Sequence, residues 1–93
     1  MKLPVNYENL AQKEIKGIRE RYIVLQKGKC IHCENSLYGK PSEKVMKKYI
    51  KKELFPDSFF KYPIHLHHNH DTGMTIGAIH CECNAVLWQY KGE

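Results

Sequence analysis

Ile64-His-Leu-His-His-Asn-His-Asp-Thr-Gly73, continued by Met74-Thr-Ile-Gly-Ala-Ile-His-Cys-Glu-Cys-Asn84, is the stretch that decides the fold of this chain. Ile64–His68 reads as a short strand, 69–73 as a turn, and Met74–Ile79 as a second strand, so the two make a hairpin. Cys81 or Glu82 then opens a last helix through Ala85, Val86, Leu87, Trp88 and Tyr90, with Trp88 and Tyr90 read as core. Four of the six histidines fall at positions 65, 67, 68 and 70. Packed this densely, they make poor core filler but suit metal binding and proton transfer. On a strand, His65 and His67 share one face and His68 takes the other. Alternation loosens where the strand meets its turn. His67 and His68 can then reach neighbouring points of one site, one binding a metal while the other serves as base.

The cysteines on either side of the hairpin supply a second pattern. Cys30-Ile-His-Cys33 has the spacing that lets two thiolates grip one tetrahedral ion. The second pair must come from His80-Cys81-Glu82-Cys83. His80 with Cys83 keeps two intervening residues and makes a three-cysteine, one-histidine site. Cys81 with Cys83 makes an all-cysteine site with only one residue between. The first fits a knuckle turn better, leaving Cys81 as a spare thiol. Two disulfides or two redox pairs are the competing use of four cysteines. A site filled by four protein ligands is a staple rather than a catalyst. Here one structural Zn2+ would tie the end of the first helix to the start of the last.

Upstream, residues 7–27 read as a helix. Ile15, Ile18, Tyr22 and Leu25 recur at helical spacing, Asn6 or Asn9 can cap the start, and Gly28 fits the end. Gly17, Ile23 and Val24 weigh against it. That apolar stripe is also a surface on which two copies of the chain could pair. A polar turn through Asn35, Ser36 and Gly39 leads to Pro41-Ser42, where a second helix is expected to run to about Leu54. Lys44, Lys47, Lys48, Lys51 and Lys52 share one face of it, with Val45, Met46, Tyr49, Ile50 and Leu54 on the other. Phe55-Pro56 ends it. Met46 and Met74 read as packing.

A chain of 93 residues is a single domain, here divided into an N-terminal helical part (1–28) and a zinc-stapled core (29–93) with the basic helix inserted at about 42–54. A core this small usually needs a staple. The hydrophobic fraction, 42%, argues against disorder, and the net charge of +5 favours an anionic partner. No signal peptide or membrane-length apolar run is present, so the expected setting is cytoplasmic, where metal binding by cysteine outweighs disulfide formation.

Cys30, Cys33, His65, His67, His68, Asn69, His70, Thr72, Gly73, Gly77, His80, Cys83 and Asn84 together resemble the HNH (ββα-metal, His-Me finger) endonucleases, most closely the zinc-stapled, endonuclease VII-like branch. The resemblance spans roughly residues 20–90. It implies an α+β ββα-metal fold and metal-dependent hydrolysis of DNA phosphodiester bonds, leaving 5′-phosphate and 3′-hydroxyl ends. It gives His68 the role of general base and makes His67 and Asn84 ligands of one catalytic divalent metal. His65 and His70 would contact phosphate or orient His68. The lysine face, through Lys47, Lys48 and Lys51, would lie along the DNA backbone. A phage, mobile-element or defence setting suits that family.

Three departures stand out. His67 occupies a place where the family has Asp, which shifts preference from Mg2+ toward Mn2+, Ni2+, Co2+ or Zn2+. Ile76 occupies the place of an Arg. The chain ends nine residues after Asn84, without a later His or a dimerising extension. Two other functions share some of these residues. A non-catalytic zinc module that binds nucleic acid uses the cysteines and lysines but not the spacing of His67, His68 and Asn84. A metal sensor uses the histidines but not the Thr-Gly turn. A degenerate nuclease, folded and inactive, would keep every feature.

Overall fold

The hairpin forms within one residue of where the sequence places it. In a computed structural model, which describes residues 2–92, β1 (Ile64–His68) and β2 (Thr75–His80) pair antiparallel as a two-stranded sheet. Asn69 shapes the turn. Its side-chain oxygen accepts from the backbone N–H groups of Asp71 (2.8 Å) and Thr72 (2.9 Å), and its carbonyl accepts from Gly73 N–H (2.7 Å). Gly73 takes φ +78°, and a Cβ there would lie 2.9 Å from the side-chain oxygen of Asn6. Along the ladder His67 faces Gly77 but His68 faces Thr75, so Ile76 is the extra residue of a β-bulge. A bulge re-aims the side chains beside it. This is the loosened alternation expected at His68, located on the opposite strand.

The free edge of β2 is covered from two directions. Near the turn, Thr75 N–H donates to Val5 O (2.9 Å), Val5 N–H donates to Thr75 Oγ1 (3.0 Å), and Tyr7 N–H donates to Gly73 O (2.8 Å). Further along, the Gln26 side chain acts as a piece of strand: its Oε1 accepts from Ala78 N–H (2.8 Å) and its Nε2 donates to Ala78 O (2.9 Å). Ile31 N–H shares that carbonyl at 3.0 Å. An edge covered in this way is closed to pairing with another chain.

α1 (Gln12–Leu25) is shorter than the expected 7–27. Tyr7–Asn9 is a separate 3-10 turn, capped by Asn6, whose side chain accepts from Glu8 N–H. Neither Asn6 nor Asn9 caps α1; Ala11 does, its N–H held by the Glu14 carboxylate at 3.0 Å. The helix ends in a Schellman motif, with Gly28 N–H on Ile23 O (2.8 Å) and Lys27 N–H on Val24 O (3.1 Å). Of the expected stripe, Ile18 and Tyr22 are buried, Ile15 packs against the core, and Leu25 is 66% exposed. The last turn overshoots the sheet, so Gln26 rather than Leu25 reaches β2. Most of the stripe offered for pairing two copies is therefore spent inside the fold. Tyr22 OH pairs with Thr75 Oγ1 at 2.8 Å, joining α1, β2 and the N-terminal segment.

The expected lysine helix does not form. Only Glu43–Met46 is helical (α2), and a 3-10 turn follows at Lys52–Leu54. Lysines four apart (44/48, 47/51 and 48/52) repel on one helix face. The last helix, α3 (Cys81–Lys91), offers the backbone other partners. Gln89 Oε1 accepts from Lys51 N–H (3.0 Å), while Gln89 Nε2 and Tyr90 OH both donate to Tyr49 O (3.0 and 2.6 Å). α3 follows β2 without a gap and ends at Gly92, which takes φ +70°.

The core joins Ile18 and Tyr22 of α1, Leu66, Ala78 and Ile79 of the sheet, Val86 and Leu87 of α3, and Leu37 and Val45 between. Trp88 and Tyr90, expected in the core, are 43% and 50% exposed, and Met46 is also half exposed. Among the described residues no helix is long and apolar enough to cross a membrane.

Candidate functional site

The cysteine pattern closes into a metal centre of defined donors. Cys30, Cys33, His80 and Cys83 bring their ligand atoms within 4.8 Å of one another, the one such group of His, Cys, Asp and Glu among the described residues. In a tetrahedral zinc site, bonds of about 2.3 Å to sulfur and about 2.0–2.1 Å to nitrogen set each S···N edge near ~3.6 Å. His80 Nδ1 lies 3.4 Å from Cys33 Sγ and 3.7 Å from Cys83 Sγ. His80 Nε2 lies 2.8 Å from the Ser36 carbonyl and donates to it, which leaves the Nδ1 lone pair for a metal. Backbone N–H groups of His32 and His80 point at Cys30 Sγ from 3.4 and 3.5 Å. The donor set fits one structural Zn2+.

The thiols are tuned against one another. A hydrogen bond from Cys83 holds Cys30 down to about 4 despite its burial, and the same contact pushes Cys83 up. A bound Zn2+ would take both sulfurs as thiolates and release their protons. Cys81 is buried outside this group, its Sγ 3.1 Å from Glu82 Oε1. Burial, then Glu82, raises its thiol to about 12. His80, rather than Cys81, therefore completes the site, and no disulfide forms among the four cysteines.

The histidines line a cleft of about 640 Å³ between α1, the sheet, the 55–62 segment and α3. His65, His67, His68, His70 and Asn84 all reach it. His65 Nε2 donates to Phe59 O at 2.8 Å, so its Nδ1 accepts from the Asn84 amide at 3.1 Å. That bond engages the Asn84 side chain through its amide nitrogen rather than its oxygen. Burial, foremost, pulls His65 below the usual imidazole range, which keeps it in this neutral, accepting form. His68 stacks between two rings: Tyr7 at 4.0 Å and 7°, and His70 at 5.0 Å and 22°. Burial and then the neighbouring His70 charge lower its pKa, against weaker opposing effects of the Leu66 carbonyl and Glu8. His67 is 5% exposed and sits opposite Gly77.

The lysines go elsewhere. Lys47 and Lys48 line a second hollow with Lys52, Phe60, Cys81 and Glu82, and Lys51 lies outside both. Lys48 Nζ sits 5.1 Å from the centre of the Tyr90 ring and Lys52 Nζ 5.5 Å from that of Phe60. Two cleft residues escaped the sequence. Arg19 lines the cleft from α1 and lowers the His65 pKa through its charge. Its position four residues after Ile15, beside the buried stripe, was the available signal. Tyr7 had none, because only tertiary packing lays it on His68. Comparison with protein-family models, with curated proteins and with solved structures returns no match to this chain.

Proposed function

We propose that this chain is a zinc-stapled endonuclease of the HNH type, with a ββα-metal core formed by β1, β2 and α3, that hydrolyses DNA phosphodiester bonds. The observation that carries the reading is the meeting of His68, His67 and Asn84 in one cleft, with Arg19 on its wall and, among the described residues, no acidic residue lining it. His68 is held in place by Tyr7 and His70 and acts as the base that takes a proton from the attacking water. Arg19 supplies the phosphate contact that Ile76 lacks. His70, stacked on His68, stands at the phosphate side of the cleft. His65 acts through Asn84, as the group that turns its amide.

His67 and Asn84 would hold the catalytic metal. Two protein donors fit a hydrated ion that keeps several waters and takes oxygens from its substrate. Among the described residues, His67 belongs to no group of three or more His, Cys, Asp or Glu at ligand distance. A divalent ion, when bound, relieves charge on the phosphate and on the leaving 3′-oxygen. The imidazole at His67 favours Mn2+ or Ni2+ over Mg2+. Lys47, Lys48 and Lys51 serve the DNA backbone from outside the cleft, as a diffuse patch rather than an ordered helix face.

Supercoiled plasmid incubated with the protein and Mg2+, Mn2+, Ni2+ or no metal tests this. The expected result is metal-dependent nicking that His68→Ala loses while retaining its zinc and its circular dichroism spectrum. DNA binding without cleavage under every metal would replace the proposal with a non-catalytic zinc module or an inactive nuclease.

A further inference from the structure

The cleft holds more than phosphate chemistry needs. Beside its histidines, Phe55, Phe59, Tyr62 and Trp88 form an aromatic part of the cleft wall. Trp88 lies one helical turn, about 6 Å of rise, beyond Asn84 and so on the same side of α3. Phe55 touches its indole at 5.3 Å and 67°, and Phe59 packs edge-on to His65 at 4.6 Å and 84°. The aromatic wall and the histidines are thus one packed unit. Trp88 and Tyr62 nevertheless stay 43% and 59% exposed. Outside the cleft, by contrast, lysine ammonium groups already sit over the rings of Tyr90 and Phe60.

A duplex presents charged phosphates and hides its base faces in the stack. Against this wall it would desolvate phosphate on one side and leave the aromatic rings unused. An unpaired nucleotide brings both a π face and a phosphate. Base–aromatic stacking is worth a great deal and tolerates any sequence. The polar lining fits as well: Arg19 brings a guanidinium to the cleft, four histidines bring ring nitrogens, and among the described residues no Asp or Glu lines it.

We propose that the cleft binds an unpaired stretch of DNA, with a base against Trp88 and Phe55 and the adjoining phosphate at Arg19 and the histidines. This rests on the nuclease reading and names its substrate form. The scissile bond would then lie in single-stranded DNA, or where a base has left the stack.

Trp88 is the single tryptophan of the chain, so its fluorescence reports on the wall directly. The native protein, without added divalent metal, is titrated with an oligothymidine of about 12 nucleotides and with a blunt duplex of about that length. The expected result is quenching by the oligothymidine and binding at least about 10-fold tighter than to the duplex. Trp88→Ala, followed by anisotropy of a labelled oligothymidine, should weaken binding about 5- to 100-fold, and Trp88→Phe should restore most of it. Should Trp88→Ala fail to fold, Phe55→Ala, which keeps the fluorophore, should show the same loss. Duplex binding as tight as single-strand binding, or a folded Trp88→Ala or Phe55→Ala that binds oligothymidine like wild type, overturns the proposal. Plasmid nicking is read separately. A protein that nicks without preferring single strands keeps the nuclease and loses this inference, and one that prefers single strands but cuts nothing does the reverse.

Discussion

Removing the zinc should unfold this protein, and the size of the effect follows from the structure. At about 0.05–0.15 kcal/mol per residue, a chain of 93 residues has about 5–14 kcal/mol of folding stability. A structural Zn2+ of this kind contributes about 10–16 kcal/mol to the folded state at neutral pH. The metal term is thus of the same size as the whole. It acts at the centre: Cys30, His80 and Cys83 are all at most 2% exposed, and the donors join the loop after α1 to the strand–helix junction that carries Asn84. A strong chelator, or Cys30→Ser, should therefore abolish the cooperative thermal transition seen by circular dichroism. Elemental analysis should find about one zinc per folded chain. Cys81→Ala is the control. It deletes a buried sulfur outside the zinc donor group, should cost about 1 kcal/mol, and should lower Tm by about 4–8 °C with zinc retained. A Cys81→Ala protein that loses its zinc would refute the assignment of His80. A chelated protein that melts like the zinc form would refute the staple.

Other outcomes follow from single contacts. Gly77→Ala places a Cβ 2.7 Å from Gln26 Oε1 and 3.2 Å from Ile31 Cβ, and Gln26 is pinned by its bonds to Ala78. The change should cost about 1–3 kcal/mol in urea unfolding. Added to Gln26→Ala it should cost less than the sum of the two, because the clash is then gone. His65→Ala should slow nicking about 10- to 100-fold without loss of zinc, since it frees the Asn84 amide to turn. An unchanged rate would remove His65 from the site. Tyr7→Phe keeps the stacked ring on His68 and should nick at close to the wild-type rate. Tyr7→Ala should be slower, and equal rates for the two would show the stack to be idle. Thr75→Val leaves the buried Tyr22 hydroxyl and the Val5 N–H without their shared hydrogen-bond partner. It should cost about 1–3 kcal/mol in a thermal melt.

Local patterns were legible where local physics decides them. The hairpin rests on alternation, on Asn69 and on a glycine that must take positive φ, all written within one short stretch. The zinc donors rest on covalent spacing, and the two-residue gap between His80 and Cys83 was enough to prefer them over Cys81. The expected lysine helix failed for the opposite reason. Its period was correct, but the backbone of Tyr49 and Lys51 found partners on α3 that no period reveals. Trp88 illustrates the same limit. Helical spacing put it on the face of Asn84, yet only the arrival of Phe55 made that face a cleft rather than a core.

By itself, then, the sequence determined the elements around the site: a strand, a turn, a strand and a helix start, with their histidines, cysteines and asparagine in order. Those follow from interactions among residues near in the chain. The tertiary structure decided what surrounds the histidines of the cleft. Tyr7, Arg19 and Phe59 come from separate segments, and they meet there because the edge of β2 and the face of α3 needed covering. Such contacts depend on which distant groups satisfy a buried surface and its hydrogen bonds, and that choice is made only when the whole chain packs.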